Sequence, residues 1–466
     1  MVVGEFAEQR DLVIVGGGPG GYQAAIRAAQ LGKSVTLIEK DKVGGVCLNQ
    51  GCIPSKVFTH AAAKLASVPV MDEMGIETGE MKVNFARLQQ YKTMVVDRLN
   101  NGVEALMKSN EIEVLTGNAN FINDHKIGVE NGHQFDLYEF TNAIIATGSH
   151  SDWSGPEHER VLLPESAYQL EEIPGSLVIY GNDYRALEAA FSFAQLGTKV
   201  KLFHDADFPF DDSINRELAR MLKKAKIKVK HGYKLQSVHP DKEKVSINFS
   251  KDVEKVDEEA SYLLVCTGQK PNLENLGVER TGMDITAEGF IQTDNKAQTS
   301  LPHVFAAGDV TGAGFTAVKA IKQGKVAVET IAGLKSEIDL TLMPSVVHTI
   351  PPIAAVGLTE KQAVEAGYET KVSSSSMNGN SYGAIANARG GLIKIVKENE
   401  TDILLGVHMI GSGAIELIGT AVTALEMAAR EEDLRFPSYP HPSNNEGLLE
   451  AVEGLSGLAI HTPKKR

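Results

Sequence analysis

Residues Asp11 to Gly21 read DLVIVGGGPGG, an apolar run leading straight into the spacing Gly16-x-Gly18-x-x-Gly21. The next segment, YQAAIRAAQLG, is rich in good helix formers and stops at Gly32, a residue suited to a helix end. A second apolar run, SVTLIEK, then ends in Glu39. Strand, glycine turn, helix, strand and an acid about twenty residues past the glycines make the βαβ unit of a dinucleotide site. Gly16 permits the tight turn, Gly18 lets backbone approach a pyrophosphate, and Gly21 lets helix and strand pack closely. The helix start offers unpaired N–H groups and a positive dipole end to phosphate. Glu39 is placed to accept a hydrogen bond from a ribose hydroxyl.

Composition bounds what such a site serves. A chain of 466 residues is too long for one core, so two to four domains are expected. No apolar run approaches a membrane span, and the N-terminal residues lack a cleavable signal pattern. A net charge of −14 argues against nucleic acid and anionic membranes as partners. Three cysteines in the whole chain make structural disulfides improbable and point to a reducing cytoplasm.

Two of those cysteines, Cys47 and Cys52, sit together in GGVCLNQGCIPSK (Gly44 to Lys56). Zinc would need three or four ligands at short spacing. Only Cys266 remains, far off in the apolar run SYLLVCTG, and His60 has no partner histidine near it. No metal site is expected, and a redox pair is the better reading. The pair follows the βαβ unit after a few residues, so it is built onto the same dinucleotide site.

The strand–turn–helix order recurs in SLVIYGNDYRALEAAFSFAQLGTKVKLFHDAD (Ser176 to Asp207). Its glycines are eroded: Asp183 stands in the second place and Ala186 in the third. Alanine there costs little, but Asp183 sets a negative charge where a pyrophosphate would approach. His204, followed by Asp205, replaces the ribose-binding acid, and no arginine lies between Lys201 and Asn215 to read a 2′-phosphate. Weak binding of NAD in preference to NADP follows. Near the C-terminus, FPSYPHPSNNEGLLEA places His441 between two prolines, with Glu446 five residues on. The prolines restrict the backbone and aim the ring.

Together these segments resemble the flavin-dependent pyridine nucleotide–disulfide oxidoreductases, and within them the dihydrolipoyl dehydrogenase branch. The likeness runs along essentially the whole chain. GGVCLNQGCIPSK resembles the redox-active segment, which implies Cys47 as the interchange sulfur and Cys52 as the sulfur beside the flavin. IIATGS, with Gly148, resembles the end of the first FAD-binding segment, and HVFAAGDV places Gly308 and then Asp309 as the acid on the ribityl chain. Gly268, in CTGQKPN, is counted among the cofactor-binding residues, although Gln269 replaces an arginine of the family pattern. Tyr184 matches the aromatic near the flavin that nicotinamide displaces, and Glu188 the carboxylate that pairs with Lys56. His441 and Glu446 match the acid–base pair, with Tyr439 and Ser443 departing from the pattern.

The expected fold is α/β: two Rossmann-like dinucleotide-binding domains, for FAD and NAD, plus a C-terminal α+β dimerisation domain. The boundaries expected are 1–148 for the FAD domain, 149–272 for the NAD domain, 273–343 for a central domain completing the FAD site, and 344–466 for the interface. A helical, polar insertion is expected from about 60 to 110, no lipoyl domain ahead of Met1, and a frayed basic tail, TPKKR. The activity implied is oxidation of a protein-bound dihydrolipoyl group by a homodimer, in the cytoplasm, with lipoyl domains of a 2-oxoacid dehydrogenase or related complex as partners. The alternative is a lipoyl-dependent flavoprotein that uses NAD poorly and serves as a redox partner or complex component. A glutathione-type reductase lacks its arginines here, a mercuric reductase its second cysteine pair, and a transhydrogenase would lack one cysteine of the pair that is present.

Overall fold

The computed structural model describes residues 7–388 and 390–462. The tail from Pro463 onward therefore lies outside the described residues. Contacts divide the chain into two compact units. One comprises the residues up to Ser55, Ala86–Ser154 and Thr267–Leu340; the other comprises Lys56–Phe85, Gly155–Cys266 and the residues from Thr341.

The first unit is built around strand Glu8–Val15, which pairs in parallel with Val35–Glu39 on one side and Gln134–Ile145 on the other. Glu113–Thr116 and Val304–Ala306 extend the parallel sheet outward. The strand Gln134–Ile145 has a second role: its early residues pair antiparallel with Lys126–Asn131, which pairs with Asn118–Phe121. The run LVIV is buried throughout, as a parallel strand covered on both faces must be. Leu12 and Ile14 pack with Ala24, Ala25 and Ala28 of helix Pro19–Gln30, while Val13 and Val15 pack with Phe121 and Phe140 in the opposite layer. Glycines let helices close on backbone. A Cβ on Gly21 would lie 1.8 Å from Gly16 O, and one on Gly324, in helix Ala317–Ile331, 2.5 Å from Gly20 O.

In the second unit Ser176–Tyr180, helix Tyr184–Gln195 and Lys199–His204 repeat the plan. Its parallel sheet runs in the order Lys228–His231, Lys199–His204, Ser176–Tyr180, Tyr262–Val265 and Val161–Leu162. A three-stranded antiparallel meander, Lys234–Pro240, Val245–Lys251 and Glu254–Ala260, follows. The C-terminal part is an antiparallel sheet in the order Ser345–Val347, Ile353–Gly357, Leu404–Ile410, Leu392–Glu398 and Thr370–Ser376. Helices Ala414–Glu426 and Asn445–Leu455 bury Leu417, Ile418, Leu448 and Val452 in one core with Ile395, Val407 and Met409. Among the described residues no helix is long and apolar enough to cross a membrane.

A buried ion pair ties this sheet to the nucleotide half of the unit. Lys394 Nζ lies 2.9 Å from Asp211 Oδ2 and 2.7 Å from Glu360, with the Lys394 and Asp211 side chains 8% and 4% exposed. Burial alone would raise the Asp211 pKa, but hydrogen bonds from Ser213 and Lys394 outweigh it and bring the value from 3.8 to about 2. Because the folded value is depressed, this stability is complete above the unfolded carboxyl range and is lost as pH falls through about 2. Lys394→Met leaves two acids without their cation and should cost about 3–5 kcal/mol at pH 7, read as a lower urea midpoint. Lys394→Met/Asp211→Asn should recover more than half of that loss.

Candidate functional site

The glycine turn of the first unit leaves open space over the start of its helix. Gly16 has φ +101°, and a Cβ there would meet Ala146 O at 2.4 Å. A Cβ on Gly18 would meet nothing within 4 Å, and Gly18 caps helix Pro19–Gln30 with no side chain over its first N–H groups. The Glu39 carboxylate is fixed by backbone, accepting Gly17 N–H at 2.6 Å and Asp41 N–H at 2.9 Å. Each oxygen keeps a lone pair for a ribose hydroxyl.

The cysteine segment is bolted to that turn. Cys47 lies on the short helix Gly45–Asn49, and Gly44 N donates to Gly17 O at 2.7 Å. A Cβ on Gly45 would lie 2.8 Å from the Gly18 Cα, so only glycine fits at this crossing. Asn100 braces the loop with bonds to Val43 O at 2.7 Å and Asn49 Oδ1 at 2.9 Å. Cys52 is the first residue of helix Cys52–Ala66, where the dipole favours negative charge on its sulfur. Both cysteines are half-buried.

Asp309 opens a short 3-10 turn after Gly308, whose φ is +86°. Ser149 Oγ lies 3.2 Å from Asp309 Oδ2 and 2.8 Å from Gln269 Oε1. Close by in the chain, Gln269 Nε2 and Thr147 Oγ1 are buried without a protein partner. Buried polar atoms are normally satisfied, so these two are available to hydrogen-bond a bound group. Gly148 has φ +74°, and its carbonyl accepts Asn272 N–H at 3.0 Å. Gly268 O accepts Asp152 N–H at 2.8 Å. Sequence reasoning missed Lys319, buried with its Nζ on Gly312 O and, at 2.6 Å, Ala313 O. Burial pushes its pKa down to about 8, opposed by the charge of Asp309.

In the second unit the structure brings Lys56, Tyr184 and Glu188 together. Lys56 Nζ sits 2.8 and 2.9 Å from the two oxygens of Glu188, which is 1% exposed, and 5.8 Å from the Tyr184 ring centroid. His348 N–H also donates to Glu188 Oε1 at 3.0 Å, a contact no local pattern announces. Burial, then the Lys56 charge, lowers the His348 pKa.

The second turn differs from the first in one decisive way. Gly181 has φ +148° and a Cβ there would meet Cys266 O at 2.3 Å, so the turn itself is kept. Asp183, however, caps helix Tyr184–Gln195: its Oδ1 accepts Ala186 N–H at 3.0 Å. Arg185 Nε donates to Asp183 Oδ2 at 2.6 Å. The carboxylate is therefore not the bare charge its sequence position suggests. The charge expected there is paired with Arg185, a neighbour the sequence reading passed over.

His441 and Glu446 form a pair, with His441 Nδ1 2.7 Å from Glu446 Oε1 and Ser443 N–H on Oε2 at 3.0 Å. The bond from His441, then that from Ser443, lowers the Glu446 pKa. A carboxylate partner keeps the proton on Nδ1 and leaves Nε2 of the exposed ring as the basic nitrogen. Tyr439 instead bonds Leu434 O at 2.7 Å. Among the described residues Asp124, His125 and His303 lie close enough to share an ion. Their imidazoles stack 4.0 Å apart at 4°, so the ring lone pairs run parallel and do not converge on a metal.

Two family models match the chain. The pyridine nucleotide-disulphide oxidoreductase model covers residues 10–324, and the dimerisation-domain model of that family covers 343–452. A dihydrolipoyl dehydrogenase of Geobacillus stearothermophilus is 36% identical over 467 residues, 99% of each chain. One from Bacillus subtilis (strain 168) is 35% identical over 470 residues, all of both chains. Among solved structures, LpdA from Mycobacterium tuberculosis superposes with a TM-score of 0.89 at 24% identity, covering 96% of this chain and 99% of that one. The HOCl-induced flavoprotein disulfide reductase RclA of Escherichia coli, solved as a Cu(II) complex, gives 0.85 at 25% identity, with coverages of 96% and 99%. With model matches and full-length relatives in agreement, the chain belongs to the pyridine nucleotide-disulphide oxidoreductase family.

Proposed function

We propose that this protein is a dihydrolipoyl dehydrogenase, oxidising the dihydrolipoyl arm of a partner protein through Cys47 and Cys52. One observation carries the reading: Gly44 N–H on Gly17 O, with Gly45 against Gly18, makes the redox helix and the cofactor turn a single structure. The relatives supply the substrate class. The cofactors are FAD and NAD, and the dimerisation domain makes the protein a homodimer. Bound FAD supplies the two-electron acceptor for the Cys47–Cys52 dithiol. Gly16, Gly18, Gly21 and the helix start would hold its pyrophosphate, Glu39 its ribose, and Asp309 its ribityl chain, with Gly148, Gly268 and Gly308 admitting it to the backbone.

The chain's residues then have defined work. His441, which this reading places across the dimer interface, takes a proton from one substrate thiol onto Nε2, and Glu446 holds the resulting imidazolium. The thiolate attacks Cys47, forming a mixed disulfide and breaking the Cys47–Cys52 bond. The electron pair stays on Cys52, at the start of its helix. The second substrate thiol then displaces Cys47, its proton passing to the departing Cys47 sulfur, and the cyclic disulfide is released. Within the second unit Lys56 is held by Glu188 beside the Tyr184 ring, the aromatic this reading assigns to nicotinamide.

Three cysteines suit the cytoplasm as the compartment, and lipoyl domains of a 2-oxoacid dehydrogenase or related complex fit as the partners. Steady-state oxidation of dihydrolipoamide should exceed that of reduced glutathione at least 100-fold in kcat/KM, about 2.7 kcal/mol of discrimination. Equal rates with both thiols would overturn the substrate class. The carboxylate at the second turn favours one further reading, a flavoprotein that keeps the disulfide relay but uses NAD weakly as a redox partner within a complex.

A further inference from the structure

We infer that Asp183 is an internal stand-in for the dinucleotide pyrophosphate, and that Arg185 is the cation it occupies. This rests on the family's use of a nicotinamide nucleotide and deepens it at one turn. The two repeats of the chain provide the comparison. In the first, Gly18 leaves the helix N-terminus uncovered, with open space where a side chain would start. In the second, Asp183 stands in that place and puts one carboxylate oxygen on Ala186 N–H, at 3.0 Å, among the groups a pyrophosphate uses. Its other oxygen is held by Arg185, with Nε at 2.6 Å and Nη2 on the same atom. The Arg185 and Asp183 side chains are only 18% and 28% exposed, so the pair is partly shielded from water and salt.

The surrounding turn is rigid. Gly181 lies against the Cys266 carbonyl, and Asn182 Nδ2 donates to Asp207 O at 2.8 Å. With the backbone held at Gly181 and Asn182, the Asp183 side chain is the part that gives way. As the turn stands its residues do not accept a pyrophosphate, and a nucleotide binds by displacing a capping bond and an ion pair. Once Asp183 is displaced, Arg185 faces the incoming phosphates. The turn is a gate: closed by its own anion, opened by a better one.

The test is calorimetric titration of NAD⁺, and separately of ADP-ribose, into the oxidised FAD-loaded dimer with no dithiol present. Asp183→Gly should bind both about ten-fold more tightly than wild type. Asp183→Asn keeps a capping side chain without the charge and should gain less. Arg185→Gln alone should weaken binding, since the incoming phosphates lose the cation they take over from Asp183. Asp183→Gly/Arg185→Gln should lose most of the gain. Wild-type affinity in Asp183→Gly would overturn the gate, and a double variant as tight as Asp183→Gly would overturn the role of Arg185. Reduction of the wild-type flavin by dihydrolipoamide, measured separately, reads the dihydrolipoyl assignment whatever these titrations show.

Discussion

Cys47→Ser holoenzyme should carry a long-wavelength absorption band without any added reductant, and Cys52→Ser should show none under any reduction. Both variants should lose dihydrolipoamide oxidation by on the order of a thousand-fold or more. The reason lies in the two helices. Cys52 begins helix Cys52–Ala66, so a thiolate there meets the positive end of the dipole. Such a thiolate beside an oxidised flavin donates charge to it and absorbs at long wavelength. Cys47 sits within the short helix Gly45–Asn49, on the strap that crosses the glycine turn, and is assigned to meet substrate. Removing Cys47 leaves Cys52 with no disulfide partner, hence a permanent band. Absorbance spectra of the two purified variants decide the matter, and identical spectra would reverse the assignment of the sulfurs.

His441→Gln should lower dithiol turnover about 10²–10⁴-fold, the usual reach of a positioned general base. Glu446→Gln should cost less, because the ring keeps its basic nitrogen and loses only the carboxylate that orients it. The larger claim is that His441 serves the site of the other subunit. Equal amounts of Cys47→Ser and His441→Gln, dissociated and reassociated, give mixed dimers as about half of the population by random pairing. Each mixed dimer has one site with both defects and one with neither. Activity should return to about a quarter of wild type. With exchange verified by a mass tag, no recovery would put His441 in its own chain's site.

Much of this was legible in local sequence because its physics is local. DLVIVGGGPGG encodes a two-faced buried strand and a turn that only glycine can make, and Gly16 and Gly21 show the close backbone approaches that enforce it. Glu39 ends the second strand and is fixed by neighbouring backbone. His441 and Glu446, five residues apart, meet across one proline turn. What escaped depends on residues distant in the chain. Nothing in Leu392–Glu398 announces that Lys394 will be neutralised by Asp211, 183 residues earlier. Likewise, His348 N–H reaches Glu188 from 160 residues away. Arg185 is the instructive omission, because it lay two residues from Asp183. Sequence reading weighed the acid against an absent ligand and overlooked the cation beside it, a pairing that a helix first turn makes easy.

The central claim is that a dihydrolipoyl dithiol passes two electrons through Cys47 and Cys52 to a flavin held by the first unit. Anaerobic titration of the oxidised holoenzyme with dihydrolipoamide, followed by absorbance, tests it most directly. One equivalent per subunit should produce the long-wavelength band in wild type, while Cys52→Ser stays spectrally unchanged on the same timescale. Flavin bleaching of equal rate and extent in Cys52→Ser would contradict the relay.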